Sequence, residues 1–212
     1  TKRGRYVARI PRNINGVQPQ LRSTLKYVDH VTRSPVSTGA YSYVFRANSV
    51  YDPDSTGVGH QPMGFDEIMA MYKHFYVTKS RIKVTAIDSS SSSGINPMYG
   101  IIASSTGVEY AGASISKILE NQYHSPWQTA ITSVSAPSRS TSMQIDFNKW
   151  FNTKDLVGEN DKRGSDSVNP SQEVYYHVWM GNPAATPSSS IAFLVEIEYD
   201  CVFCDPNTLN QS

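Results

Sequence analysis

Apolar and polar residues alternate with a period of two over much of this chain, which is the pattern of half-buried β-strands rather than of helices. The longest run places Ile191, Phe193, Val195, Ile197, Tyr199, Cys201 and Phe203 on one face, with Glu196, Glu198 and Asp200 opposite. Val174, Tyr176, Val178 and Met180 repeat the pattern. Leu25, Tyr27 and Val31, alternating with Lys26, Val28 and His30, predict a first strand over residues 23–33. A second, over residues 41–49, sets Tyr41, Tyr43, Phe45 and Ala47 against Ser42, Val44 and Arg46. In a third, over residues 76–87, Ile82, Val84 and Ala86 oppose Arg81, Lys83 and Thr85. Residues 98–103 and 127–134 predict two short strands, and Met143, Ile145 and Phe147 mark the next.

The period changes to that of a helix in two places. Phe65, Ile68, Met69 and Tyr72 fall at i, i+3, i+4 and i+7, and Ile115, Ile118 and Leu119 suit a brief helix with Ser114 as N-cap. Between these elements lie turn formers. Asp52, Pro53, Asp54, Ser55, Gly57 and Gly59 interrupt regular structure, residues 89–94 read as a serine-rich loop tip, and residues 153–172 as a charged loop.

Eight strands with long, uneven connections predict an all-β jelly roll, in which two four-stranded sheets face one another across a single core. An immunoglobulin-like sandwich is the competing architecture, but it expects shorter, more uniform turns. The helix-bearing loop over residues 52–75 favours the jelly roll. The chain divides into a basic arm at residues 1–22, a sandwich at 23–204 and a tail at 205–212. No apolar run approaches the roughly 20 residues of a membrane span, and the chain reads as soluble, non-secretory and without membrane partners.

The run Phe45-Arg46-Ala47-Asn48-Ser49-Val50-Tyr51-Asp52-Pro53-Asp54, with Gly59-His60-Gln61-Pro62 and Tyr76-Val77 after it, resembles the capsid proteins of circovirus-like viruses, whose small circular single-stranded DNA genomes encode a replication initiator. Phe151-Asn152-Thr153-Lys154-Asp155-Leu156-Val157-Gly158 is similar to the segment that follows a middle strand in many of those capsids. The resemblance implies a viral-capsid jelly roll assembled, in about 60 copies, into a small T=1 icosahedral shell. It also implies circular single-stranded DNA as cargo, a place in the virion, entry into the host nucleus during infection, and a host receptor that the sequence does not identify. Capsids of that family carry a longer Arg-rich block before the first strand than residues 1–12 supply. Two other readings stay open: the capsid of a small single-stranded RNA virus or satellite, and a non-viral β-sandwich that binds a carbohydrate or protein ligand.

Charge sharpens the picture. The net charge is only +1, yet residues 1–33 hold eight basic side chains against Asp29 alone, a net of +7, and the remainder holds eleven basic and seventeen acidic, a net of −6. A basic arm on a mildly acidic body suits one surface that meets phosphate and another that meets solvent. Lys2, Arg3, Arg5, Arg9 and Arg12 would bind phosphate oxygens, and Tyr6 among them would stack on an unpaired base. Arg46, Arg81 and Lys83 extend that nucleic-acid-binding set or are ordinary strand-face charges.

Catalytic text is scarce. No G-x-S-x-G, G-x-x-x-x-G-K, H-E-x-x-H or G-x-G-x-x-G occurs, and the five histidines are scattered. The expectation is no enzyme, no cofactor and no metal site, with Asp52-Pro53-Asp54 serving as a turn. The only cysteines, Cys201 and Cys204, lie three apart on one strand, so their sulfurs point to opposite faces and stay free thiols.

Overall fold

In the computed structural model, which describes residues 17–34, 39–91, 96–130, 138–182 and 189–208, the alternating segments pair into two antiparallel sheets. Strands β1 (Gln20–Arg33), β3 (Tyr72–Ser91), β7 (Ser140–Asp146) and β9 (Ser189–Pro206) form the first, in the order β1-β9-β3-β7. The second contains β2 (Gly39–Arg46), β4 (Met98–Ser104), β5 (Ala111–Ala113), β6 (Gln128–Thr129) and β8 (Tyr175–Asn182), in the order β5-β2-β8-β4-β6. The first and last strands pair along their length, from Gln20 opposite Cys204 to Arg33 opposite Ile191. Apart from the added edge strand β5, this is the eight-stranded jelly roll that the alternation predicts.

The core forms between the two inner faces. From β9 it takes the alternating set Ile191, Phe193, Val195, Ile197, Tyr199, Cys201 and Phe203, all buried. In β3 the inward set is Phe75 and Val77, then Ser80, Ile82 and Val84. The phase changes because a β-bulge lies between Val77 and Lys79, inserting one extra residue opposite β9. Without it, either the first or the second half of β3 would turn its apolar residues to solvent.

Buried tyrosines tie the sheets together. Tyr199 of β9 donates its hydroxyl to the Arg46 carbonyl of β2 at 2.8 Å, and Tyr176 of β8 donates to the Ser80 carbonyl of β3 at 3.1 Å. Each ring adds apolar area to the core while its oxygen reaches a backbone acceptor in the opposite sheet.

Strand β8 departs from simple alternation, since both of its faces are buried. Tyr176, Val178 and Met180 face the main core. Trp179 belongs to a second apolar cluster with Ala40, Ile102 and Ile118, the last from helix α2 (Ile115–Leu119). The chain after β4 thus folds over the outer face of the second sheet. His177 lies on that face, its Nε2–H donating to the Thr106 carbonyl at 2.7 Å, and burial holds its pKa below the ordinary value.

Several local expectations need correction. The serine tract is strand as far as Ser91, because residues 89–91 pair with residues 189–191; residues 92–94 lie outside the described residues. The strand expected over 127–134 is only Gln128–Thr129, and residues 131–134 lie outside the described residues. Phe147 opens a helical turn, α3 (Phe147–Trp150), because Asp146 Oδ1 accepts from the N–H groups of Asn148 and Lys149 and so starts a helix where alternation would continue the strand. Helix α1 (Phe65–Met69) forms as expected but ends before Tyr72, which begins β3. Ser114 stands at the N-cap of α2 without a side-chain capping bond.

The Asp52-Pro53-Asp54 turn folds back on β2, with Arg46 N–H donating to Pro53 O at 2.7 Å and Ser55 N–H to Val44 O at 3.2 Å. Asp54 is buried and accepts from the Tyr43 hydroxyl at 2.8 Å and from Thr56 N–H at 3.0 Å. Its carboxylate is consumed by the turn. Both cysteines are free and buried, Cys201 within the main core. Burial raises both thiols, Cys204 to about 11, so neither is a ready nucleophile.

Candidate nucleic-acid interface

Of the nine residues that the sequence assigns to nucleic acid, Lys2, Arg3, Arg5, Tyr6, Arg9 and Arg12 lie outside the described residues. Arg46, Arg81 and Lys83 are placed, and the structure separates them.

Arg46 closes β2 at the base of the 52–54 turn. Its Nε donates to Glu173 Oε1 at 2.6 Å, and one terminal nitrogen reaches Asp52 Oδ2 at 2.8 Å, Asp52 O at 3.0 Å and Asp54 O at 3.2 Å. Only 14% of its side chain is exposed. One guanidinium between two carboxylates leaves a local charge of −1, so this site repels phosphate rather than attracting it. Tyr175 adds a hydroxyl donor to the second oxygen of Glu173, and its own pKa is pushed up to about 12, by burial first and that bond second. Arg46 therefore fastens the turn to the entrance of β8.

Arg81 and Lys83 occupy the outer face of the first sheet. Strand register sets them beside the acidic row of β9, with Arg81 opposite Glu198 and Lys83 opposite Glu196. On the other flank Lys26 lies opposite Glu198 and Thr24 opposite Asp200. The Lys26 ammonium reaches Glu196 Oε1 at 2.7 Å, and Thr24 Oγ1 donates to Asp200 Oδ1 at 2.7 Å. Lys83 stands 3.6 Å from Glu196 and Arg81 3.9 Å from Glu198. The bond from Lys26 is the main reason that Glu196 titrates below the ordinary carboxylate range.

The acidic row of β9 is therefore paired within the chain, across three strands. Sequence reasoning missed Lys79, which completes the basic row of β3 and stands 3.7 Å from Asp146 Oδ2. It also missed Arg22, which joins Lys79 and Asp200 around a shallow groove. The signal was there in the two-residue spacing of Lys79, Arg81 and Lys83. Among the described side chains, five cations, Arg22, Lys26, Lys79, Arg81 and Lys83, share this face with four carboxylates, Asp146, Glu196, Glu198 and Asp200. A net of +1 is too small to hold a polyanion, although exposed pairs longer than 3.5 Å are worth only about 0–1 kcal/mol and yield readily to a competing phosphate. Among the described residues no group of three or more His, Cys, Asp or Glu side chains is placed to hold a metal ion.

No protein-family model matches the chain, and no curated protein matches it. Solved structures do. The structure of Cocksfoot mottle virus matches with a TM-score of 0.52 at 8% identity, over 89% of this chain and 96% of that one. The decameric BFDV capsid protein matches with a TM-score of 0.44 at 8% identity, over 88% and 99% of the two chains. Maize Chlorotic Mottle Virus matches with 0.42 at 9%, over 92% and 98%. At such identities the likeness is one of fold, and it rests on the first of the three.

Proposed function

We propose that this chain is a structural capsid protein that assembles with copies of itself into a closed shell around nucleic acid. The observation that carries the reading is the jelly roll shared with Cocksfoot mottle virus along 89% of the chain, on a chain whose first 33 residues carry a net of +7. The sandwich is the building block, and its role is mechanical rather than catalytic. The arm over residues 1–22 faces the interior and neutralises the genome, since the described sheet face is close to neutral and supplies no comparable field.

The finer reading is a T=1 shell of about 60 copies enclosing circular single-stranded DNA, in the virion of a circovirus-like virus whose capsid protein enters the host nucleus. Its support is the two sequence blocks at residues 45–77 and 151–158, together with the arm. Arginines bind phosphate irrespective of sequence, and many arms on one inner surface make weak contacts collectively strong.

Electron microscopy of the expressed full chain tests the coarse reading. Closed, uniform shells are expected. A monomer or trimer that persists across salt and pH in sizing chromatography, without shells, would instead favour the ligand-binding sandwich. Nuclease digestion of purified particles tests the cargo: DNase-sensitive, RNase-resistant nucleic acid is expected after the shells are opened, and the reverse pattern would assign an RNA genome.

A further inference from the structure

Between the β7 edge of the first sheet and the 122–124 segment that runs beside β4 lies a cleft of about 690 Å³, whose lining does not include the Arg46 knot. Its volume falls within the range of roughly 300–1,000 Å³ typical of small-molecule sites. Its walls combine two kinds of chemistry.

The first is aromatic. Tyr123 and Trp150 meet with ring centroids 4.7 Å apart at 48°. Trp150 is braced from behind by the main core, whereas Tyr123 is 48% exposed. One ring anchored on the core beside one half exposed to solvent is an aromatic wall that a flat ligand can reach. The second is cationic. Lys149, on α3 beside Trp150, is exposed, and Lys79 enters from β3. Asp146 is the carboxylate of the cleft, but its Oδ1 is occupied by the Asn148 and Lys149 N–H groups, and its Oδ2 lies 3.7 Å from Lys79. His124 also lines the space. Its Nδ1–H donates to the Ser125 carbonyl at 2.9 Å, which leaves Nε2 for a ligand.

We infer that this cleft binds one nucleotide unit, the base stacked against Tyr123 and Trp150 and the phosphate held by Lys79 and Lys149. A flat ring linked to an anion matches an aromatic wall flanked by ammonium groups, and stacking of this kind tolerates any base. A phosphate alone would use half of the site. The inference stands whether or not the chain builds shells, because it needs only the folded sandwich.

The test is tryptophan fluorescence of the full chain at low salt, titrated with thymidine 5′-monophosphate, hexathymidylate, inorganic phosphate and a heparin hexasaccharide. Both thymidylates are expected to quench saturably, and inorganic phosphate is not. Trp150→Phe keeps a stacking ring but removes the reporter, so the quench disappears while calorimetric binding persists. Tyr123→Ala weakens the thymidylates by at least about fivefold, the lower end of what one base–aromatic stack supplies. Lys149→Glu weakens them further and flattens the loss with salt. Both positions are exposed, and circular dichroism checks that the variants fold. A saturable quench by the monophosphate supports a site for a single nucleotide, and quenching by the hexamer alone would overturn it in favour of a surface that needs a strand. No saturable quench, a quench unchanged by Tyr123→Ala and Lys149→Glu, or a quench by heparin alone would overturn the assignment. Absence of shells under the microscope would leave this titration unaffected.

Discussion

Removing Arg46 leaves Asp52 and Glu173 facing each other with no cation between them. Arg46→Ala should therefore cost about 2–3 kcal/mol, below the full penalty of breaking a buried pair because both carboxylates keep some water. Urea denaturation measures this, and the salt slope of nucleic-acid binding by the folded variant should not change. His60 carries a different prediction. Its two ring nitrogens each lie 2.9 Å from a backbone carbonyl, Gln61 O at Nδ1 and Val28 O at Nε2, with the Tyr27 ring 4.6 Å away. A neutral imidazole has one N–H and satisfies one acceptor, whereas the imidazolium satisfies both. The Gln61 carbonyl first and the Val28 carbonyl second raise its pKa above the ordinary 6.5, and Asp29 adds a smaller push. A raised folded-state pKa means that the clasp between the 52–64 loop and β1 is complete below about pH 6.5 and is lost as pH rises through the raised value. Hydrogen exchange of the loop amides should speed up across that window, and His60→Gln should abolish the pH dependence. Little of this was legible in the sequence. His60 and Arg46 stood out as parts of a motif, but their partners, Val28 and Glu173, lie 32 and 127 residues away.

At the level of elements, the close fit of β4 against β8 depends on a missing side chain. Gly100 lies opposite Trp179, and a Cβ at position 100 would stand 2.9 Å from the indole nitrogen and 3.1 Å from two ring carbons. Trp179 thus covers the glycine, as aromatic residues do for strand glycines elsewhere. Gly100→Ala should push the indole off the second sheet and cost about 1–3 kcal/mol by overpacking. A shifted Trp179 emission together with a lower thermal midpoint would record it, and an unchanged midpoint would mean that the indole has room to move. Elements with strong alternation were readable, as β1 and β9 demonstrate. Strand β5, Ala111-Gly112-Ala113, was not, because three small residues have no apolar rhythm and owe their conformation to pairing with β2. The bulge in β3 was equally hidden, since only β9 lying alongside defines which residue is the extra one.

For the whole molecule, the proposed function assigns attraction to nucleic acid to the arm, and salt dependence tests it. If Lys2, Arg3, Arg5, Arg9 and Arg12 each neutralise one phosphate of a single strand, log K should fall against log salt with a slope of about −3.5. Arg3→Ala combined with Arg5→Ala should lower that magnitude by about 1.4, whereas Arg81→Ala should alter it less, because Glu198 already offsets its charge. Equal effects from the two would move the interface onto the sheet. The sequence by itself determined the strongly alternating strands, the inward set of β9, the charge asymmetry and the jelly-roll expectation, because a two-residue rhythm and a count of charges are local properties. Tertiary structure decided which strands are neighbours, that both faces of β8 are buried, that Arg46 is neutralised, and that Tyr123 and Trp150 share a cleft with two lysines. Those outcomes depend on antiparallel register between segments far apart in the chain, such as Lys26 and Glu196, 170 residues distant. Register is fixed only when both sheets close on one core.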